Sequence, residues 1–264
     1  MGHTALLVRA GGKAHPPQRY MRGVWVLLLA VALAACSVGS GGTSRTPVAT
    51  PGTTSPTSAL TPTALPAVTY VAIGASDAFG VGTSDPNRDN WPAVLARKLT
   101  TPERQIHLVN LGIPGATAAL AVRDELPVAL DAQPTIVTIW LGVNDLDQHV
   151  ALDTYIQGLR SLMHAFTQAG RAHVYVGNLP ELSLLPYFTA RGTPSALRQQ
   201  TRLWNDTIAA ACVAEGATLV DIFAGWSELA SHPEYISQDG LHPSTAGADR
   251  LAVLFAEAIR SEMG

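Results

Sequence analysis

The chain has 264 residues, with 17 Lys or Arg against 20 Asp or Glu, and a formal net charge of −3. This slightly acidic balance, without a stripe of basic residues, argues against a nucleic-acid partner. The sequence also holds neither a His-Glu-x-x-His pair nor a cluster of cysteines, so we expect no metal site and no cofactor.

The first element in chain order is a targeting segment. An unbroken apolar run covers residues 24–35, and Arg19 and Arg22 precede it. This run is too short to span a bilayer, which takes about 20 residues. It predicts a secretory signal peptide over residues 1–35, the alternative being a buried apolar helix. Because Met21 begins a compact signal by itself, we take it as a candidate start of translation.

A cysteine and a polar tether follow the signal. The tetrad Leu33-Ala34-Ala35-Cys36 resembles the lipobox of bacterial lipoproteins, which implies cleavage before Cys36 and attachment of a diacylglyceryl group to its sulfur. The alternative is a plain signal peptide and a chance cysteine. Residues 36–66 are rich in Ser, Thr, Gly, Pro and Ala and predict a flexible tether. We therefore expect an extracytoplasmic protein, lipid-anchored to the bacterial cell membrane.

Residues 67–264 remain as one domain of ordinary size, which we expect to be a monomer. Loss of the signal removes four basic residues and no acidic one, so the net charge changes from −3 to −7. Cys212 is then the only unmodified cysteine, which leaves no intrachain disulfide. Its apolar neighbours favour a small buried side chain over a reactive thiol.

Short β-branched and apolar runs, typical of strands buried on both faces, alternate with helical patterns in this domain. The predicted strands are 67–75, 106–111, 135–141, 172–177 and 217–223. The predicted helices are 90–99, 116–130 (broken or kinked by Pro127), 152–169, 195–215 and 246–263. This alternation predicts an α/β fold with a parallel sheet covered by helices on both faces. Two long connections, 179–194 and 224–238, are typical of functional loops.

Three residues suit nucleophilic catalysis. Ser76 directly follows the first predicted strand, where a serine alone would more often be a cap or turn residue. It is not the nucleophile elbow of α/β-hydrolases, because Ala78 stands where that motif has Gly. Asp239 lies three residues before His242, so its carboxylate can orient one imidazole nitrogen while the other faces the serine. The carboxyl ends of parallel strands share one edge, where these residues can meet.

Two further residues suit the stabilisation of an oxyanion. Gly115 follows the second strand, and its amide can approach a substrate because glycine has no Cβ. Asn144 follows the third strand, and its carboxamide is a suitable side-chain donor. Taken singly, the segment of Gly115 is better explained as a tight turn and that of Asn144 as a polar loop.

Together these blocks resemble the SGNH, or GDSL, hydrolase family. The blocks are Gly74-Ala75-Ser76-Asp77, Gly112-Ile113-Pro114-Gly115, Gly142-Val143-Asn144-Asp145 and Asp239-Gly240-Leu241-His242. The resemblance implies a flavodoxin-like, three-layer α/β/α fold with a five-stranded parallel sheet. It implies Ser76 as nucleophile, His242 as base and Asp239 as the orienting acid. The oxyanion hole would be formed by Ser76, Gly115 and Asn144. One residue departs from the family, since Ala75 replaces the Asp of Gly-Asp-Ser.

The sequence therefore predicts a serine esterase that hydrolyses carboxylic esters through an acyl-enzyme intermediate. The substrate would be a small-molecule ester, of the lipase or lysophospholipase type, or an acetylated glycan. One alternative is an acyltransferase that uses the same site to acylate a glycan hydroxyl. Another is a lipid-anchored binding protein without catalysis. The apolar loop 182–188 suits an acyl pocket or a lid, although it could equally pack onto its own domain.

Overall fold

The computed structural model describes residues 67–263, except 169 and 171. The predicted signal peptide, Cys36 and the tether lie outside these residues. No helix in this part of the chain is both long and apolar enough to cross a membrane.

Five parallel strands form one sheet, as the sequence predicts. They are β1 (Ala67–Gly74), β2 (Gln105–Asn110), β3 (Ile136–Trp140), β4 (His173–Gly177) and β5 (Thr218–Val220). Their order in the sheet is β2-β1-β3-β4-β5, with every neighbouring pair parallel. Strands β1 and β3 are neighbours inside the sheet, and their carboxyl ends lie side by side, with Gly74 opposite Trp140.

Helices flank the sheet and complete the α/β fold. They are α1 (Ser76–Phe79), α2 (Trp91–Leu99), α3 (Ala118–Leu120), α4 (Leu126–Asp131), α5 (Val143–Asp147), α6 (Leu152–Thr167), α7 (Pro186–Thr189), α8 (Pro194–Glu215), α9 (Ile222–Gly225) and α10 (Thr245–Met263). Helices α2 and α10 pack on each other, and so do α6 and α8. The short helices α1 and α5 directly follow the central strands, so the sheet positions their first residues.

Aromatic packing fixes the carboxyl end of β3. The Trp91 ring on α2 stacks on Phe255 of α10 with ring centroids 4.5 Å apart. Trp140, the last residue of β3, meets Trp91 edge to face at 6.2 Å and Trp226 at 6.4 Å. Because such large apolar side chains dominate the stability of a core, they hold this strand end rigidly.

Two predicted elements differ from the structure. The fifth strand ends at Val220 rather than at 223, because the Asp221 side chain accepts a hydrogen bond from the Ala224 N–H and caps α9. The predicted helix 116–130 contains a π-helical turn, Ala121–Glu125, with a hydrogen bond from the Leu126 N–H to the Ala121 carbonyl. This wider turn accommodates Pro127, which neither breaks nor ends the helix.

Candidate active site

Ser76 is the first residue of α1 and directly follows β1. Gly74, two residues before Ser76, is held through both of its backbone polar groups. The Gly74 N–H donates to Oε2 of Glu125 at 3.0 Å, and the Gly74 carbonyl accepts from the Ile113 N–H at 3.1 Å. A Cβ at Gly74 would lie 2.7 Å from the Ala78 Cβ, so glycine allows the tight entry into α1. The serine therefore sits on a turn whose position is fixed by two distant segments.

His242 connects Ser76 to Asp239. The Nε2 atom of His242 lies 2.8 Å from the Ser76 hydroxyl oxygen, and its Nδ1 atom lies 2.6 Å from Oδ2 of Asp239. With its proton on Nδ1 donated to Asp239, the imidazole can accept a hydrogen bond from Ser76 through Nε2. The structure thus brings all three predicted residues into one hydrogen-bonded chain that can carry a proton from Ser76 to His242.

The Asp239 carboxylate is held in its own loop. Its Oδ1 atom accepts hydrogen bonds from the Leu241 N–H, the His242 N–H and the Ser237 hydroxyl, at 2.8, 2.9 and 2.8 Å. Burial alone would raise the pKa of Asp239, but the hydrogen bonds from His242, Leu241 and Ser237 outweigh it and lower the pKa to about 2. The carboxylate is therefore ionised at any ordinary pH, as the partner of an imidazolium must be.

Gly115 lies in the turn between β2 and α3, and its backbone has a φ of +82°. A Cβ built there would meet nothing within 4 Å. Glycine suits this position because of its left-handed backbone conformation, which it adopts without strain. That the missing Cβ also lets a substrate approach the Gly115 amide stays a prediction.

The carboxamide of Asn144 faces the same turn from α5. One of its N–H groups donates to the Ala116 carbonyl at 2.9 Å, which fixes the side chain, and Asn144 also lines the cavity beside Ser76. The neighbouring Asp145 is buried and accepts the Ala118 N–H with both oxygens at 3.1 Å. Burial raises the pKa of Asp145 to about 6. Asp145 thus ties α5 to the start of α3.

An apolar cavity of about 50 Å³ opens beside Ser76 and His242. Its apolar walls include Trp140, Leu141, Val143, Leu185, Trp226 and Leu241. Leu185 and Trp226 belong to the two long connections that the sequence marks as functional. A cavity of this size fits a short group better than a long one.

The chain matches the model of the GDSL-like Lipase/Acylhydrolase family over residues 72–250. It belongs to this family. No curated protein matches the chain. The chain is a hydrolase, and the matched residues include all four blocks of the site.

Solved structures share the fold of this GDSL-like hydrolase at low sequence identity. The esterase EstA from Pseudoalteromonas sp. is 20% identical, with a TM-score of 0.60, over 74% of this chain and 98% of EstA. Axe2, an acetylxylan esterase from Geobacillus stearothermophilus, is 21% identical, with a TM-score of 0.60, over 73% of this chain and 94% of Axe2. The lipase/acylhydrolase from Enterococcus faecalis is 17% identical, with a TM-score of 0.59, over 74% and 96% of the two chains.

Two acidic side chains near the Ser76 turn were missed by the sequence analysis of this GDSL-like hydrolase. Glu125 lies in the π-helical turn with 1% of its surface exposed, and burial raises its pKa to about 8. Asp77 accepts a hydrogen bond from the Trp91 indole N–H at 3.0 Å, and burial raises its pKa to about 6. Both therefore support the turn in which Ala75 replaces the usual Asp. The Asp directly after Ser76 was a visible signal, whereas nothing in the sequence linked Glu125 to β1.

Cys212 lies in α8, away from this site, with 1% of its surface exposed. Burial raises the pKa of its thiol to about 12. A thiol that remains protonated at neutral pH is a poor nucleophile, so the expected role as a small buried side chain fits the structure.

Proposed function

We propose that this hydrolase is a serine esterase that cleaves short acyl esters, with Ser76 as nucleophile, His242 as base and Asp239 as orienting acid. The observation that carries the proposal is the continuous hydrogen-bonded chain from Ser76 through His242 to Asp239. Ser76 and His242 also line a small apolar cavity.

The first half of the reaction transfers the acyl group to the enzyme. The Ser76 oxygen attacks the ester carbonyl carbon while its proton moves to Nε2 of His242, and the carbonyl electron pair moves onto oxygen. When the tetrahedral intermediate collapses, the bond to the alcohol oxygen breaks and the alcohol leaves with the proton from His242. Asp239 stabilises the imidazolium between these two steps.

The second half releases the acid. A water molecule gives a proton to His242 and attacks the acyl-enzyme, and the Ser76 oxygen then leaves with that proton. In both halves the oxyanion would be held by the N–H groups of Ser76 and Gly115 and by the carboxamide of Asn144. Fixed donors of this kind contribute roughly 3–4 kcal/mol each. The position of Asn144 in the wall of the cavity that Ser76 and His242 also line supports this assignment.

The size of the cavity favours a short acyl group such as acetyl. Its apolar walls match a methyl or ethyl group, and its volume of about 50 Å³ leaves little room for a long chain. The likeness to Axe2, an acetylxylan esterase, makes an acetylated glycan a natural substrate to include.

A series of p-nitrophenyl esters from acetyl to dodecanoyl, run beside acetylated xylan, tests the proposal. We expect the acetyl or propionyl ester to have the highest kcat/KM and the Ser76→Ala variant to lose this activity at every chain length. A maximum at eight carbons or more would contradict the short-acyl assignment. Activity retained by Ser76→Ala would contradict the nucleophile.

We also propose that the protein acts outside the cytoplasm, anchored to the bacterial membrane through lipidated Cys36. The support is the sequence alone, namely the apolar run 24–35 that ends in Leu33-Ala34-Ala35-Cys36. Cells fed an alkyne-labelled fatty acid should label the wild type and the Cys212→Ala control but not the Cys36→Ala variant. Equal labelling of Cys36→Ala would contradict the anchor.

A further inference from the structure

The connection between β4 and α8 packs against the loop that carries His242. We call residues 185–191 of this connection the strap. Leu185 and Phe188 are buried, with 2% and 3% of their surfaces exposed, and they anchor the strap to the domain. Pro186 lies so close to Gly240 that a Cβ on this glycine would be 2.9 Å from the Pro186 Cβ. The strap is therefore a packed element in contact with the base loop.

Tyr187 in the strap contacts both sides of the site. Its N–H donates to the Gly240 carbonyl at 3.1 Å, inside the loop that carries Asp239 and His242. Its hydroxyl donates to Oδ2 of Asp147 at 2.9 Å. Asp147 is the last residue of α5, one turn after Asn144. One residue thus links the loop of the base, through its backbone N–H, to the helix of the oxyanion carboxamide, through its hydroxyl.

Arg191 holds the Tyr187 ring in place. Its guanidinium carbon lies 3.7 Å from the ring centroid, and its Nη1 atom donates to the Tyr187 carbonyl. A cation placed over an aromatic face in this way is attracted to the ring. The contact with Arg191 and the hydrogen bond to Asp147 therefore favour the same position of the Tyr187 side chain.

The cavity lies between the two elements that Tyr187 links. Val143 of α5 and Leu241 of the base loop are both on its wall, and Leu185 of the strap is on the wall as well. Tyr187 itself does not line the cavity. Its effect on a bound acyl group must therefore act through the spacing of these three side chains.

We propose that Tyr187 is a positioning residue whose hydrogen bond to Asp147 fixes the spacing between α5 and the base loop, and so limits the length of the acyl group. This proposal rests on the esterase function proposed above. It identifies a residue outside the four blocks as a determinant of specificity.

A double-mutant cycle with Tyr187→Phe and Asp147→Ala tests the proposal. Both variants break the same hydrogen bond, and Tyr187→Phe keeps the ring under Arg191. We expect each single variant to lower the ratio of kcat/KM for the acetyl ester over the hexanoyl ester by about fivefold, the equivalent of one ordinary hydrogen bond. In each variant, kcat for the acetyl ester should fall because Asn144 is less well fixed. The KM for the hexanoyl ester should also fall. The double variant should have the same ratio as each single variant.

Two controls separate this role from a merely structural one. Asp147→Asn keeps an acceptor oxygen for Tyr187 and should restore most of the wild-type ratio. Asp206→Ala removes an exposed carboxylate from the middle of α8 and should leave the ratio unchanged. A lower Tm with an unchanged ratio, or effects of the two single variants that add in the double variant, would overturn the proposal.

Hydrogen exchange gives a readout that needs no turnover. Amides in residues 143–148 should exchange faster in Tyr187→Phe and in Asp147→Ala, with no further increase in the double variant. If exchange in residues 143–148 is unchanged in both single variants, the proposed role of Tyr187 is wrong, even if the enzyme is active. If the wild type hydrolysed no ester, the esterase proposal would fail, and the exchange data alone would decide whether Tyr187 fixes α5.

Discussion

The loop of the base and the turn of the nucleophile are held in opposite ways. The hydrogen bonds that fix the Asp239 carboxylate come from Ser237, Leu241 and His242, all within three residues. The turn before Ser76 is instead held by Glu125, 51 residues away from Gly74 in the chain. The Asp239 motif therefore depends on its own residues, whereas the turn before Ser76 depends on a residue far away in the chain. The block with local support, Asp-Gly-Leu-His, is intact, and the block with distant support is the one in which Ala75 stands in place of Asp.

The largest effect is expected when the local motif is broken at Asp239. Asp239→Asn removes the charge that stabilises protonated His242, so kcat/KM should fall by about 10³–10⁴-fold. Steady-state kinetics with the acetyl ester measures this loss. Ser237→Ala is the matched control, because it removes one hydrogen bond and leaves the two backbone donors to Oδ1, and it should cost about tenfold or less. A loss below tenfold in Asp239→Asn would show that the local motif is not essential.

The role of Glu125, which holds the Ser76 turn from a distance, should be visible in how the free energy of unfolding depends on pH. The folded protein raises the pKa of Glu125 from its ordinary value of 4.5 to about 8, mainly through burial. Between these values the folded state keeps a proton that the unfolded chain releases, so each rising pH unit favours unfolding by up to about 1.4 kcal/mol. Glu125→Gln has no such titration. Urea unfolding at pH 5, 6.5 and 8 should show the wild type losing stability relative to Glu125→Gln, by a few kcal/mol at most.

Asp145 also has a raised pKa, but it is present in the wild type and in the variant. Besides burial, the charge of Asp77 contributes to the raised pKa of Glu125, so the difference between the two proteins measures Glu125 together with its interaction with Asp77. Parallel stability curves for the two proteins would mean that Glu125 is ionised in the fold, and the described role of its burial would be wrong.

A smaller effect on activity is expected when the Gly74 N–H loses its acceptor. Glu125→Met fills similar space without an acceptor, whereas Glu125→Gln keeps a carbonyl oxygen for the amide. Since an unsatisfied buried donor costs about 1–3 kcal/mol, Glu125→Met should lose about tenfold in kcat with little change in KM. Glu125→Gln should stay near the wild type. Equal kcat values for the two variants would show that the turn before Ser76 does not depend on this hydrogen bond.

The sequence predicted the sheet and, within the candidate site, the four residues Ser76, Asn144, Asp239 and His242 that the structure brings together. Apolar runs such as 135–141 are long and continuous enough to indicate buried strands. Because the strands are parallel, the residues that follow them must meet at one edge, which explains why Ser76, Gly115, Asn144 and His242 could be grouped.

Features that depend on tertiary contacts could not be predicted. The hydrogen bonds from Gly74 to Glu125 and from Tyr187 to Asp147 join segments 51 and 40 residues apart, and no local pattern marks them. The early end of β5 follows from the Asp221 cap, which competes with a weak strand pattern. The π-helical turn at Ala121–Glu125 likewise resolves a conflict between Pro127 and the helical pattern around it.

Covalent labelling of the nucleophile tests the central claim most directly. A fluorophosphonate forms a stable adduct with a serine that is activated by a neighbouring base. Intact-mass and peptide-mass spectrometry of the labelled protein should find one adduct, on Ser76, which is absent in Ser76→Ala and forms far more slowly in His242→Ala. An adduct on another residue, or undiminished labelling of Ser76→Ala, would contradict the account.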